Sequence, residues 1–456
     1  MLERLFRLRE RGTTIRTEVL GGTTTFLTMA YIVVVNPAIL SSIGIPSGPS
    51  TVATILVCVF GTLLMGLYAN RPIAVAPYMG ENAFIAFTLA ALGIPWPKAL
   101  GAVFVSGLLF LIITLLGIRP WLAAAISPSM KRSFAAGIGL FLALIGLYET
   151  GIVTSFVTGM PPAALQGPTG LLRAPAAPLK IGDLHDPRVL LAIFGILLTA
   201  LLIQRRLRGA ILIGMAVTAA LGGLLGYGAR PQALVALPFT GAYDVSALAF
   251  KLDVVGVLEI GFLPVLLTLV LMGFLDTLGT LVGVGAAGGM LDARGDLPDI
   301  QKPMLVDATT CVFAGLVGTT TSGAYIESAA GIREGARTGL ASVTTAALFA
   351  VSLFLIPLFA PLQTLTYAYA PALVAVGLLM LSSFREIDFE DLTELIPAFA
   401  TIAMMVFTYN IANGLTAGLA LYPLVKAAAG RWREVTPGAV VLALLCAAYY
   451  VFGLPH

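Results

Sequence analysis

From Val19 to Phe452 the chain is a succession of continuous apolar runs joined by short polar links. A helix needs about 20 residues to cross a hydrocarbon core about 30 Å thick, and the runs approach that length. The first group covers 19–35, 51–68, a short segment near 82–92, 99–117, 134–148, 189–203 and 210–227. The second covers 254–275 with a Gly-rich continuation to Gly289, then 304–317, a short segment near 325–332, 338–359, 367–381, 396–408, 411–427 and 438–452. The runs are continuous rather than alternating, which excludes a membrane β-barrel. Charged residues make up 11% of the 456, against roughly 25% in soluble domains. A soluble enzyme, a nucleic-acid binder or a disordered chain is thereby excluded. The reading is an all-α polytopic membrane protein of about 14 transmembrane segments. The count is fourteen or fifteen, because Tyr409–Asn410 and Asn413–Gly414 break 396–427 into two short halves.

Basic residues cluster in the links: Arg4, Arg7, Arg9, Arg11 and Arg16, then Lys131 and Arg132, then Arg205, Arg206 and Arg208, then Arg333 and Arg337. With alternating spans all of these fall on one side. The positive-inside rule makes that side, and the N-terminus, cytoplasmic. The polar start leads into a run too long for a signal h-region, so it reads as a retained first helix. Cys58, Cys311 and Cys446 all lie within apolar runs and read as small packing residues rather than a disulfide framework. The Pro/Gly-rich stretch 159–187 reads as a surface loop.

The two groups resemble each other. Residues 29–36 can be laid on 269–276, Cys58-Val-Phe60 on Cys311-Val-Phe313, and Gly101 on Gly339, in the same order and at similar offsets. Seven is odd, so a seven-helix repeat re-enters the membrane with opposite polarity. Such inverted repeats mark many secondary transporters. The third member of each group is a poor spanning helix. Ala76-Pro-Tyr-Met-Gly-Glu-Asn-Ala-Phe84 and Gly318-Thr-Thr-Thr-Ser-Gly-Ala-Tyr-Ile-Glu-Ser328 each read as extended backbone followed by a half-helix. Irregular backbone survives at membrane depth only where protein buries it or it lines a cavity. Paired interrupted segments therefore mark a substrate site, with half-helix N–H groups aimed at it.

Few acids lie within the runs: Asp276, Glu327, Glu81 and Asp307, with Asn82 beside Glu81. Charge at membrane depth is costly, so such residues are functional candidates. Asp307 also reads as a brace for the Thr-rich stretch beside it, and Glu81 and Asn82 as first-turn or capping residues of the half-helix. Two carboxylates and an amide facing one cavity suit a planar ligand with several N–H donors, such as the N1–H and exocyclic amine of guanine. A carboxylate or phosphate ligand would want Arg or Lys instead. The same carboxyls can carry a coupling proton, and sodium coupling stays open. No enzyme constellation is visible: the two histidines, His185 and His456, lie in a loop and at the terminus, and there is no phosphate loop or metal motif.

Residues 23–37, the run Gly273-Phe-Leu-Asp-Thr-Leu-Gly-Thr280 and the run Thr320-Thr-Ser-Gly-Ala-Tyr-Ile-Glu-Ser-Ala-Ala-Gly331 resemble the second nucleobase–cation symporter family. Within it, the chain is most similar to the AzgA-like adenine/guanine/hypoxanthine permeases, over nearly its whole length. The resemblance implies seven-plus-seven inverted repeats with a core domain (18–118 and 254–360) and a gate domain (119–253 and 361–453). It implies a base held between the third and tenth segments by Asp276 and Glu327, with Asn82 tuning selectivity and Asp307 as the ninth-span acid. Glu81, Tyr325, Ile326 and Thr280 complete the expected substrate set. Glu327, Asp276, Glu81 and Asp307 are the candidates for proton coupling or site support. One departure stands out: the branch typically reads Pro-Gly-Met-Gly-Leu-Asn-Ala where this chain reads Pro77-Tyr-Met-Gly-Glu-Asn-Ala83.

The expectation is a purine nucleobase importer of the bacterial inner membrane, proton-coupled and working by alternating access. Its partners are the base and the lipid bilayer, with a homodimer implied by the family, no nucleic acid, no cofactor and no metal. The alternatives are a same-fold transporter for xanthine, uracil or an anion, a membrane-embedded enzyme, and a channel.

Overall fold

The computed structural model describes residues 2–118, 121, 125–158, 178–231, 233–291 and 297–452. Among these, eight helical stretches are long and apolar enough to cross a membrane, and shorter apolar helices include Ala210–Leu224, Leu392–Phe407 and Pro437–Ala447. The helices of the first half are α1 (Ile15–Met29), α2 (Ile32–Ser41), α3 (Ser47–Leu67), α4 (Met79–Ala83), α5 (Trp96–Leu115), α6 (Pro128–Glu149), α7 (Pro187–Gln204) and α8 (Ala210–Leu224). Those of the second half are α9 (Leu263–Ala287), α10 (Gln301–Val317), α11 (Ser328–Arg333), α12 (Gly339–Ser352), α13 (Thr366–Met380), α14 (Leu392–Phe407), α15 (Ile411–Ala428) and α16 (Pro437–Phe452).

Local chemistry sets several of these boundaries. Asn410 accepts hydrogen bonds from the Ala412 and Asn413 amides, and Tyr409 adopts a left-handed conformation with φ 53°. The cap and the turn make 392–428 two helices rather than one span. Ser127, Asp186, Thr338 and Asp391 cap α6, α7, α12 and α14 in the same way.

Three boundaries differ from the sequence reading. The first span is interrupted at Ala30–Tyr31, between α1 and α2. The run 254–275 opens with two 3-10 turns, Val255–Val257 and Ile260–Phe262, so the helix begins at Leu263 and carries Asp276 near its middle. Within the stretch read as a surface loop, residues 159–177 lie outside the described residues, whereas β3 (Leu179–Ile181) pairs antiparallel with β2 (Val153–Ser155).

The helices pack in two sets. In one, α5 lies against α10, α3 against α12, and α1, α9 and α10 join them through α12, α5 and α3 respectively. In the other, α6 lies against α13 and α14, α7 against α8 and α13, and α14 against α15, with α16 on the outside of α15. Both sets exchange partners between the two halves of the chain, the arrangement of inverted seven-helix repeats. The halves meet where they cross: the Phe60 and Phe313 rings are 4.3 Å apart. Small residues permit the closest approach, and a Cβ on Gly339 would overlap the Gly66 carbonyl oxygen.

Candidate functional site

The two interrupted segments meet at the centre of the first helical set. β1 (Val75–Pro77) pairs antiparallel with β4 (Ser322–Ala324), in the register Val75 with Ala324, Ala76 with Gly323 and Pro77 with Ser322. The pairing is two-fold about its middle. The Tyr78 amide donates to the Thr321 carbonyl (3.0 Å), and the Tyr325 amide donates to the Ala74 carbonyl (2.9 Å).

The outer edges of so short a sheet would leave unpaired backbone groups at membrane depth. Side chains close them. On one edge the Val75 amide donates to Thr62 Oγ1, which itself donates to the Val75 carbonyl. On the other the Ser322 amide reaches Cys311 Sγ (3.4 Å), and Cys311 donates to the Ser322 carbonyl (3.0 Å). Thr62 thus takes the structural place of Cys311 in the other repeat. The sequence match of Cys58 with Cys311 is displaced by one helical turn, because apolar helices repeat their pattern every turn and align almost equally well after such a shift.

Beyond each strand the chain turns into a half-helix. From Met79 it runs through α4 into a π-helical turn, Phe84–Leu89, a form that is frequent at functional sites. From Ser328 it forms α11, whose first hydroxyl accepts the Ala74 amide (3.0 Å).

The acids divide into three environments. Glu327 is half-buried, and its Oε1 accepts the Tyr31 hydroxyl at 2.7 Å. Asp307 is buried in α10. Its Oδ2 accepts the Ala324 amide (2.9 Å) and lies 3.4 Å from the Tyr78 hydroxyl, which pairs with Thr277 Oγ1 at 2.8 Å. Asp307 therefore braces β4 and reaches α9 through Tyr78. Glu81 is fully buried on α4, and its carboxyl is in side-chain contact with that of Asp276, which is half-buried on α9. Neither Glu81 oxygen meets a donor among the described residues, and both amide atoms of the fully buried Asn82 are likewise without a partner. Buried polar groups in that state are rare in folded proteins.

The remaining candidates are spread around this centre. The Tyr325 hydroxyl donates to the Pro77 carbonyl at 2.7 Å, so it ties β1 to the start of α11. Ile326 is exposed and leans toward Gly283 of α9. Thr280, half-buried, lies one turn beyond Asp276 on the same helix. The structure brings Glu81 to Asp276 and Asp307 to Tyr78. Among the described residues no hydrogen bond joins Glu327 to Asp276. Tyr31 and Thr277 were not singled out by the sequence, although each sits inside a run that carries the family resemblance. Asn36 was also missed: it is fully buried and donates to Thr54 and Thr319.

Comparison with known proteins places this geometry in context. The solved structures it resembles include the transmembrane domain of the cyanobacterial bicarbonate transporter BicA, with a TM-score of 0.59 at 16% identity over 88% of this chain and 97% of that one. Murine Slc26a9, an anion transporter in its inward-facing state, gives a TM-score of 0.61 at 12% identity over 92% of this chain and 68% of that one. At such identities the likeness is one of fold, the seven-plus-seven inverted repeat. Similarity in sequence is much closer elsewhere. The putative permease MJ0326 of Methanocaldococcus jannaschii is 42% identical over 99% of this chain and 98% of its own length. The adenine permease AdeP of Escherichia coli is 38% identical over 99% and 96%. The guanine/hypoxanthine permease PbuO of Bacillus subtilis is 37% identical over 97% and 98%. A family model described as "Permease family" matches residues 16–417. The chain, a multi-pass membrane protein built for passage rather than for enzymatic chemistry, belongs to the permease family.

Proposed function

We propose that this permease imports a purine nucleobase (adenine, guanine or hypoxanthine) by proton symport and alternating access across the inner membrane, with its N-terminus in the cytoplasm. The observation that carries the reading is its full-length similarity to relatives named as adenine and guanine/hypoxanthine permeases. The site supports it chemically. Asp276 and Glu327 offer carboxyl oxygens to ring and exocyclic N–H groups, and the Asn82 amide both donates and accepts beside them. Tyr31 holds Glu327 in position. Asp307 and Tyr325 hold the strands rather than the base.

The two helical sets supply the moving parts. The set containing α1, α3, α5, α9, α10 and α12, within 18–118 and 254–360, acts as the core that carries the site. The set within 119–253 and 361–453 acts as the gate. A second copy of the chain would complete a homodimer, as the family resemblance implies.

The test is uptake of labelled adenine, guanine, hypoxanthine, xanthine and uracil into proteoliposomes, with and without an inward proton gradient, for wild type and Glu327→Gln. Saturable, gradient-driven purine uptake that falls at least tenfold in the variant is the expected result. Uptake of xanthine or uracil alone would move the substrate class, and sodium-driven uptake would move the coupling ion. Non-saturating flux would make the protein a channel.

A further inference from the structure

Four carboxyls stand at or near the proposed site, and donor counting separates them. Glu327 has a donor in the Tyr31 hydroxyl, and Asp307 has one in the Ala324 amide. Each of these two carboxyls is thus fixed by a hydrogen bond from the protein. Glu81 is different. It is fully buried, no donor reaches either oxygen among the described residues, and its carboxyl meets that of Asp276. Two carboxylates in contact repel unless a proton lies between them, and a fully buried carboxylate without a donor is costlier still.

Among the described residues no cation stands beside the pair. From its own segment Glu81 faces Tyr78, from α9 Asp276, from α10 Cys311, and from the residues just before α11 Tyr325. From α6 the half-helix meets Ile138, which lies 3.0 Å from where a Cβ on Gly80 would be. No Lys, Arg or His is among these neighbours. The resemblance noted above has Leu at this position, so the extra carboxyl belongs to this chain rather than to the usual pattern.

We propose that Glu81 is the proton-coupling residue of this permease: one proton shared with Asp276 closes the half-helix α4 onto α9, and its departure lets them part. The inference rests on the reading of the site as a proton-coupled transport site. In a cycle the pair takes one proton from the outer aqueous side. With that proton in place, the charge left on the pair is one rather than two. The proton leaves to the cytoplasm with the base, so each neutral base carries in one positive charge. Asp276, half-buried, is the member of the pair that faces the base, and Glu81 stands behind it.

The experiment compares wild type with Glu81→Gln in proteoliposomes loaded with unlabelled adenine, hypoxanthine or guanine. Gln keeps a donor for Asp276 but carries no exchangeable charge. The expected result is a split: gradient-driven accumulation falls at least tenfold, whereas base-for-base counterflow falls less than threefold. A pH series of melting midpoints for detergent-solubilised wild type provides a reading that needs no variant. The midpoint should fall as the pH rises and the pair loses its proton, and Glu81→Gln should flatten that fall. Wild-type accumulation by Glu81→Gln, or a wild-type midpoint that does not change with pH, overturns the proposal. So does equal loss of counterflow and accumulation in a variant that still melts cooperatively, which would make Glu81 a binding residue. Wild type that accumulates no base under a proton gradient but does so under a sodium gradient, or not at all, overturns the proton-symport reading itself and this proposal with it.

Discussion

Tyr31 occupies the two-residue turn between α1 and α2, where both residues keep right-handed helical backbone angles. Its hydroxyl reaches Glu327 at 2.7 Å, almost 300 residues further along the chain. A hydrogen bond to a charged acceptor contributes about 1.5–3 kcal/mol when both partners are sheltered. Water replaces part of that at half-buried Glu327, so Tyr31→Phe should lower kcat/KM for base uptake by about tenfold, or about 1.4 kcal/mol. Its melting midpoint should change little. A Tyr31→Phe transporter with wild-type kcat/KM would show that Glu327 needs no oriented donor. Nothing in the local sequence announces the break: residues 29–35 contain neither Gly nor Pro, and the run reads as one helix. The site acids were legible as rare charges in apolar runs, but their partners were not, since a tyrosine or threonine in such a run is ordinary.

At the scale of elements, the interruption of the two segments that hold β1 and β4 is the part most plainly written in the sequence. Pro, Gly and Thr crowd both segments, and such residues disfavour helix. What the sequence hid was the closure of the strand edges. Thr62 and Cys311 each give and receive a hydrogen bond at one edge, an oxygen in one repeat and a sulfur in the other. Cys311 reads in sequence as a packing residue, and its bonding role comes only from where α10 passes the strand. Cys311→Ala should strip both partners from Ser322 and cost about 1–3 kcal/mol, since no water replaces them there. Cys311→Ser, which keeps donor and acceptor, should remain near wild type. Melting midpoints of the two variants in detergent check this; an equal loss in both would assign the effect to volume rather than to hydrogen bonding.

For the whole molecule, a core and a gate each drawn from both halves were implied only by the family resemblance; apolar runs that all look alike do not show which helices pair. The last spans are knit together by charge at one end. Lys426, almost fully buried, lies 2.9 Å from Glu394, 3.0 Å from Glu434 and 3.6 Å from Asp391, and Arg431 pairs with Asp391 at 2.7 Å. In the connecting loops, the Thr393 hydroxyl and then the Arg431 guanidinium hold the Asp391 carboxyl well below the usual carboxylate range. Arg431 and Lys426 do the same for Glu434. Carboxyls lowered by folding stabilise the fold at neutral pH, and that contribution is lost as pH falls below about 4 through the folded values. The melting midpoint should therefore drop between about pH 4 and pH 2, and Asp391→Asn should flatten the drop. An identical acid profile in the variant would place the sensitive groups elsewhere.

The strand crossing also has a consequence in time. β1 has no partner within its own half of the chain, because the residues that complete its ladder are synthesised roughly 250 positions later, about 12–50 s at 5–20 residues per second. Until then its exposed backbone cannot rest in lipid. The first seven segments must wait beside the insertion machinery, or partly outside the bilayer, and the binding site comes into being only when the second repeat arrives.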